Sequence, residues 1–95
     1  MIRALILSSV LLAAPAFATP YYRAETTAAP AQARFVARDN IWRCSGTSCV
    51  SERTGSRPAS VCGTLVREVG ALSSFSVEGR AFNSEELESC NRRAR

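Results

Sequence analysis

The 95-residue chain carries four cysteines, Cys44, Cys49, Cys62 and Cys90, and they constrain its fold more than any other feature. A polypeptide this short can form one domain. It buries only about 60% of its unfolded surface, which leaves packing alone marginal. Four cysteines admit three pairings. Cys44 and Cys49 bracket Ser45-Gly46-Thr47-Ser48, a turn-rich loop that lets them face each other across a hairpin. Cys62 and Cys90 then fall on two separate predicted helices. In the chain-entropy picture the longer closure is worth about 3.6 kcal/mol and the short one about 2.2 kcal/mol. Two other uses of the sulfurs compete. A thiol oxidoreductase places C-x-x-C at a helix N-terminus, whereas here four residues separate the close pair. A four-thiolate zinc site uses two close pairs, and Cys62 and Cys90 are not one. Two structural disulfides are therefore expected, with no cofactor and no metal.

Disulfides need an oxidising compartment, and the N-terminus supplies a route to one. Met1-Ile2-Arg3 is a short positive start. Ala4 to Ala14 is an apolar run broken by Ser8 and Ser9, and Pro15 and Ala16-Phe17-Ala18 follow. These parts read as a secretory signal peptide over residues 1–18, cleaved between Ala18 and Thr19. The run falls short of the roughly 20 residues that span a bilayer, and no transmembrane segment is expected in the mature chain. The first cysteine lies far from residue 19, so a lipid-anchored N-terminal cysteine is not expected either. The expected location is periplasmic or secreted.

The mature chain divides by composition. Residues 19–33 are rich in Ala, Thr and Pro and read as a flexible arm, with Tyr21 and Tyr22 partly exposed. Residues 34–95 read as a small disulfide-stabilised α+β domain of order β-β-α-β-α. Ala33 to Cys44 is strand-like, but its alternation changes phase near Asp39-Asn40, which implies a bulge or a tight turn. Trp42 is expected in the core beside a disulfide. Cys49 to Arg53 is a second strand. Ser56 or Arg57 caps a helix with Pro58 in its first turn. Val61, Cys62, Leu65, Val66 and Val69 recur on one face of that helix, and Gly70 ends it. Gly63 inside it permits a close backbone contact. Leu72 to Glu78 is a strand with Phe75 and Val77 inward. Asn83 and Glu86 form a capping-box variant at the start of a last helix, on which Leu87 and Cys90 face inward.

Charge and composition narrow the function. Every cation is an arginine; lysine and histidine are absent. Without histidine, Ser-His and Cys-His nucleophile pairs are excluded. The formal charge of +4 falls to +3 once Arg3 leaves with the leader. No block of five or six like charges occurs, so nucleic acid is not an expected partner. Glu85, Glu86 and Glu88 cluster where a helix begins, and capping explains them. Arg53 and Arg57 approach the N-terminus of the first helix and are the candidate anion-binding residues.

Trp42-Arg43-Cys44 with Cys49, Ser56-Arg57-Pro58 with Cys62, Arg67-Glu68-Val69-Gly70, Phe75, and Leu87 with Cys90-Asn91 resemble an uncharacterised family of small exported alphaproteobacterial proteins. The likeness covers nearly all of the mature chain. It implies a periplasmic setting and brings no activity, ligand or catalytic residue. The chain is therefore expected to be a non-catalytic exported binding or structural module. Its partner would be another envelope protein or an anionic envelope component. The alternatives are an anion-binding envelope protein using Arg53 and Arg57, and a thiol-disulfide redox protein.

Overall fold

A computed structural model describes residues 20–95 of the chain. The elements run β1 (Tyr22–Thr26), β2 (Arg34–Ala37), β3 (Asn40–Ser45), β4 (Ser48–Ser51), α1 (Pro58–Val69), β5 (Leu72–Val77), β6 (Arg80–Ala81) and α2 (Ser84–Asn91). The six strands form one sheet of order β2-β3-β4-β1-β5-β6, antiparallel throughout. The α+β class holds, but the order has more strands than expected. The proposed leader and its Ala18/Thr19 junction lie outside the described residues.

The largest correction concerns residues 19–33. Tyr22–Thr26, inside the stretch expected to be flexible, is an interior strand paired with β4 on one side and β5 on the other. Tyr22, Ala24 and Thr26 are buried, while Arg23 is exposed and Glu25 half-exposed. The alternation is strict, but two of its three inward residues are small or polar, so it lacks the apolar signature of a strand. Its burial comes from pairing on both edges. β4 and β5 both run antiparallel to β1 and hence parallel to each other, so β4-α1-β5 is a crossover unit split by the inserted first strand.

The phase break near Asp39-Asn40 is a tight turn. β2 and β3 pair from Arg34↔Arg43 to Ala37↔Asn40, with Arg38 at positive φ (58°) in the connection. Glu78 and Gly79, both at positive φ, make the β5–β6 turn, the geometry that matches strand twist. The β1–β5 register shifts between Glu25 and Thr26, which leaves Ser73 as an extra residue. Leu72 and Phe75 are therefore both buried although three apart, and Ser73, on the same parity as Phe75, is exposed.

Both helices cover one face of the sheet. Their Val61, Cys62, Leu65, Val66 and Cys90 join Tyr22, Trp42 and Phe75 in a single core. Trp42 is fully buried, and its indole N–H has no hydrogen-bond partner. An unpaired buried donor costs about 1–3 kcal/mol, which the burial of the large ring offsets. Helix α1 begins with Arg57 as N-cap and Pro58 at N1, but no side chain bonds its first amides. Gly70 closes it at φ 84°, its N–H donating to Val66 O at 2.9 Å. At α2 the Asn83/Glu86 capping box forms in both directions, at 2.9 and 3.1 Å. Helix α2 is tied to the sheet by Asn91, whose amide accepts from Leu72 N–H (2.8 Å) and donates to Leu72 C=O (2.9 Å). Gly63 makes room for a side chain and not for backbone: a Cβ there would lie 2.7 Å from Arg93 Cδ.

Two outcomes follow from this arrangement. A chain begun at Thr27 lacks the strand between β4 and β5 and should show no cooperative unfolding transition, whereas a flexible arm would be dispensable. Asn91→Ala leaves the Leu72 amide and carbonyl without their partner, and should lower the urea-unfolding free energy by about 1–3 kcal/mol.

Candidate functional site

The disulfides set the frame. Cys44 and Cys49 are direct cross-strand partners with Cα atoms 4.0 Å apart. The Cys44 N–H donates away from β4, to Ala33 O at 2.7 Å, so the pair occupies a non-hydrogen-bonded site where side chains approach closely. Cys62 and Cys90 join α1 to α2, with Cα atoms 5.9 Å apart. Both pairings agree with those read from the sequence, and no described cysteine is free. Cys49, Cys62 and Cys90 are buried.

Arg53 and Arg57 have different surroundings. The Arg53 guanidinium lies 5.7 Å from the centre of the Tyr21 ring, within cation–π range. Tyr21 meets Tyr22 edge-on at 4.8 Å, and Tyr22 continues into Trp42 and Phe75. Arg57 instead borders a shallow hollow of about 300 Å³ with Pro58, Arg80 and Phe82. A second hollow of about 320 Å³ adjoins it, sharing Ala59, Phe82 and Glu86 and reaching Cys90 and Arg93. Arg53 lines neither. Together these hollows form a groove with an apolar floor and charged ends, between the start of α1, β6 and α2.

The opposite face of the sheet carries a second constellation. Arg34, Arg43, Val50 and Arg23 are successive in-register neighbours across β2, β3, β4 and β1. All four lie on the parity opposite to the buried residues, away from the helices. The next row holds Ser45, Ser48, Glu25 and Ser74. On the other side of the arginines, Val36 and Ile41 are cross-strand partners exposed to 64% and 50%. The Glu25 carboxylate accepts from the hydroxyls of Thr47 and Ser48. Arg43 meets Glu52 at 3.7 Å in an exposed pair, a contact worth little in water. Among the described residues, no carboxylate lies within salt-bridge distance of Arg23 or Arg34. The sequence reading missed this row. Its signal was the phase break: a turn at Arg38-Asp39 puts Arg34 opposite Arg43.

A six-stranded antiparallel sheet, covered on one face by two helices and fastened by two disulfides, defines a small stapled α+β domain. The chain belongs to a family of unknown function, DUF8200, whose pattern matches residues 7–92. No curated protein and no solved structure matches it.

Burial pushes the Tyr22 phenol above its ordinary value; Tyr21 adds to the rise and Arg53 opposes it. The folded state thus holds the phenolic proton more tightly than the unfolded chain. Stability from this group is complete below about pH 10, the unfolded value, and is lost as pH climbs through the raised folded value. Denaturant titrations across that alkaline limb should show a steeper loss for the native chain than for Tyr22→Phe.

Proposed function

We propose that the chain acts after export as a non-catalytic binding module, with both disulfides structural. The observation that carries this reading is the placement of the sulfurs. All four cysteines are closed into bridges; Cys49, Cys62 and Cys90 are buried among core side chains and Cys44 is half-buried against them. Thiol exchange proceeds by attack of a thiolate on an accessible sulfur, so redox catalysts keep theirs exposed in electropositive settings. Burial in the core favours a mechanical role. The compartment is supported by the same bridges, by the leader read at residues 1–18, and by the resemblance to exported alphaproteobacterial proteins. The family pattern begins at residue 7, inside the apolar run, which supports treating that run as part of the family's design. The binding role rests on what is left uncovered: one sheet face carries arginines, serines and two exposed aliphatics, and no helix packs on it.

The periplasmic product should start at Thr19 by mass spectrometry and take up no alkylating reagent without prior reduction. It should fail to accelerate insulin reduction by dithiothreitol. Turnover above background in that assay would replace the reading with a redox one. The paired change Cys62→Ser/Cys90→Ser should lower unfolding free energy by about 2–5 kcal/mol. Cys44→Ser/Cys49→Ser should cost less, since its short loop is already held by the β3–β4 ladder.

A further inference from the structure

We infer that the uncovered face of the sheet, centred on the β2–β3 hairpin, docks on an anionic lipid surface. This rests on the binding-module reading and assigns it a site and a ligand chemistry. Val36 and Ile41 are the two large apolar side chains most exposed on the domain, and they stand side by side on one hairpin. Arg34 and Arg43 occupy the adjacent row on the same face, and Arg38 sits at the hairpin's exposed turn. Arg23 extends the cationic row two strands further in, beyond Val50. With strands about 4.8 Å apart, the three arginines of the row span about 15 Å, the scale of several lipid headgroups.

The energetics of the free protein also point outward. Arg34 and Arg43 face each other at a cross-strand pair, where like charges are destabilising. The hydrogen bond from Cys44 N–H to Ala33 O makes the neighbouring Ala33/Cys44 pair the hydrogen-bonded one. Arg34 and Arg43 therefore take the close, non-hydrogen-bonded spacing. Phosphate oxygens placed between them turn that repulsion into bidentate contact. Val36 and Ile41, costly to hydrate where they stand, would enter the interfacial layer beside the same headgroups. Neither a soluble anion nor a neutral surface satisfies both halves of the patch. An anionic bilayer offers phosphate and hydrocarbon at adjoining depths, and basic residues near such a surface each contribute about 1 kcal/mol.

Flotation of the mature protein with vesicles tests this. The protein should float with equimolar phosphatidylglycerol and phosphatidylcholine and stay behind with phosphatidylcholine alone. Arg23→Gln/Arg34→Gln/Arg43→Gln should weaken binding by about a hundredfold. Val36→Ser/Ile41→Ser should leave a weaker binding that high salt abolishes. Arg57→Gln/Arg80→Gln, in the groove on the other side, should bind as the native chain does. Thermal melts by circular dichroism should show a cooperative transition for all three variants, since every changed side chain is exposed, and the arginine triple variant should melt no lower than the native protein because the Arg34/Arg43 repulsion is gone. The inference is overturned by equal binding to both vesicle types, by no binding to either, or by loss on changing the groove arginines instead. It is also overturned if heparin captures the protein and anionic vesicles do not compete, which would make the ligand a glycan. A dimer in sedimentation that Val36→Ser/Ile41→Ser dissociates would make the occupant a second copy. None of these results bears on the insulin assay, so the binding module and its lipid ligand fail separately.

Discussion

The hydrogen-bonded ladder on both sides of β1 holds the rest of the domain in place. Tyr22 pairs with Ser51 on one flank and Val77 on the other. Without that strand, the β2-β3-β4 meander and the β5-β6 hairpin would be two small sheets, joined by α1 and unable to bury their inner faces. With it, Tyr22, Trp42 and Phe75 come together as one aromatic core beneath the helices. The disulfides then act at two further places. One closes the β3–β4 hairpin, and the other fastens the eight-residue α2, a helix too short to persist without packing.

Much of this architecture is legible in the sequence. The cysteine pairing followed from a turn between one pair and helical spacing around the other. Pro58 and Gly70 fixed the ends of α1, and Asn83 with Glu86 fixed the start of α2. These signals are local: each is a residue whose backbone or side-chain chemistry has few alternatives. What escaped notice depends on neighbours distant in the chain. Ala24 and Thr26 carry no strand signature of their own and are buried because β4 and β5 arrive on either side. The bulge at Ser73 is invisible for the same reason, since it exists only relative to Glu25 and Thr26.

The candidate site divides along the same line. Arg53 and Arg57 stand near a helix start, a local cue; the fold gives one an aromatic ring and the other a hollow beside Arg80. Arg23, Arg34 and Arg43 are scattered in sequence and align only once the register is known. The hairpin phase break held half of that information, because a turn at Arg38-Asp39 brings Arg34 and Arg43 together. Arg23 could not be added without recognising β1. A two-layer domain with helices on one side leaves the alternate residues of every strand facing water. Here those residues are mostly Arg and Ser; of the apolar ones among them, Val50 is half-buried and Val36 and Ile41 are exposed.

Placing the earliest strand in the middle of the sheet also sets a timetable. Its two partners lie some 25 and 50 positions downstream, so β1 can gain its first neighbour only when β4 is present and its second only when β5 is. The β2–β3, β3–β4 and β5–β6 hairpins form from local contacts, but joining them through β1 closes distant segments, which is slow compared with helix formation. The two halves of the sheet thus stay separate until β5 docks on β1, and the domain locks once Cys90 meets Cys62.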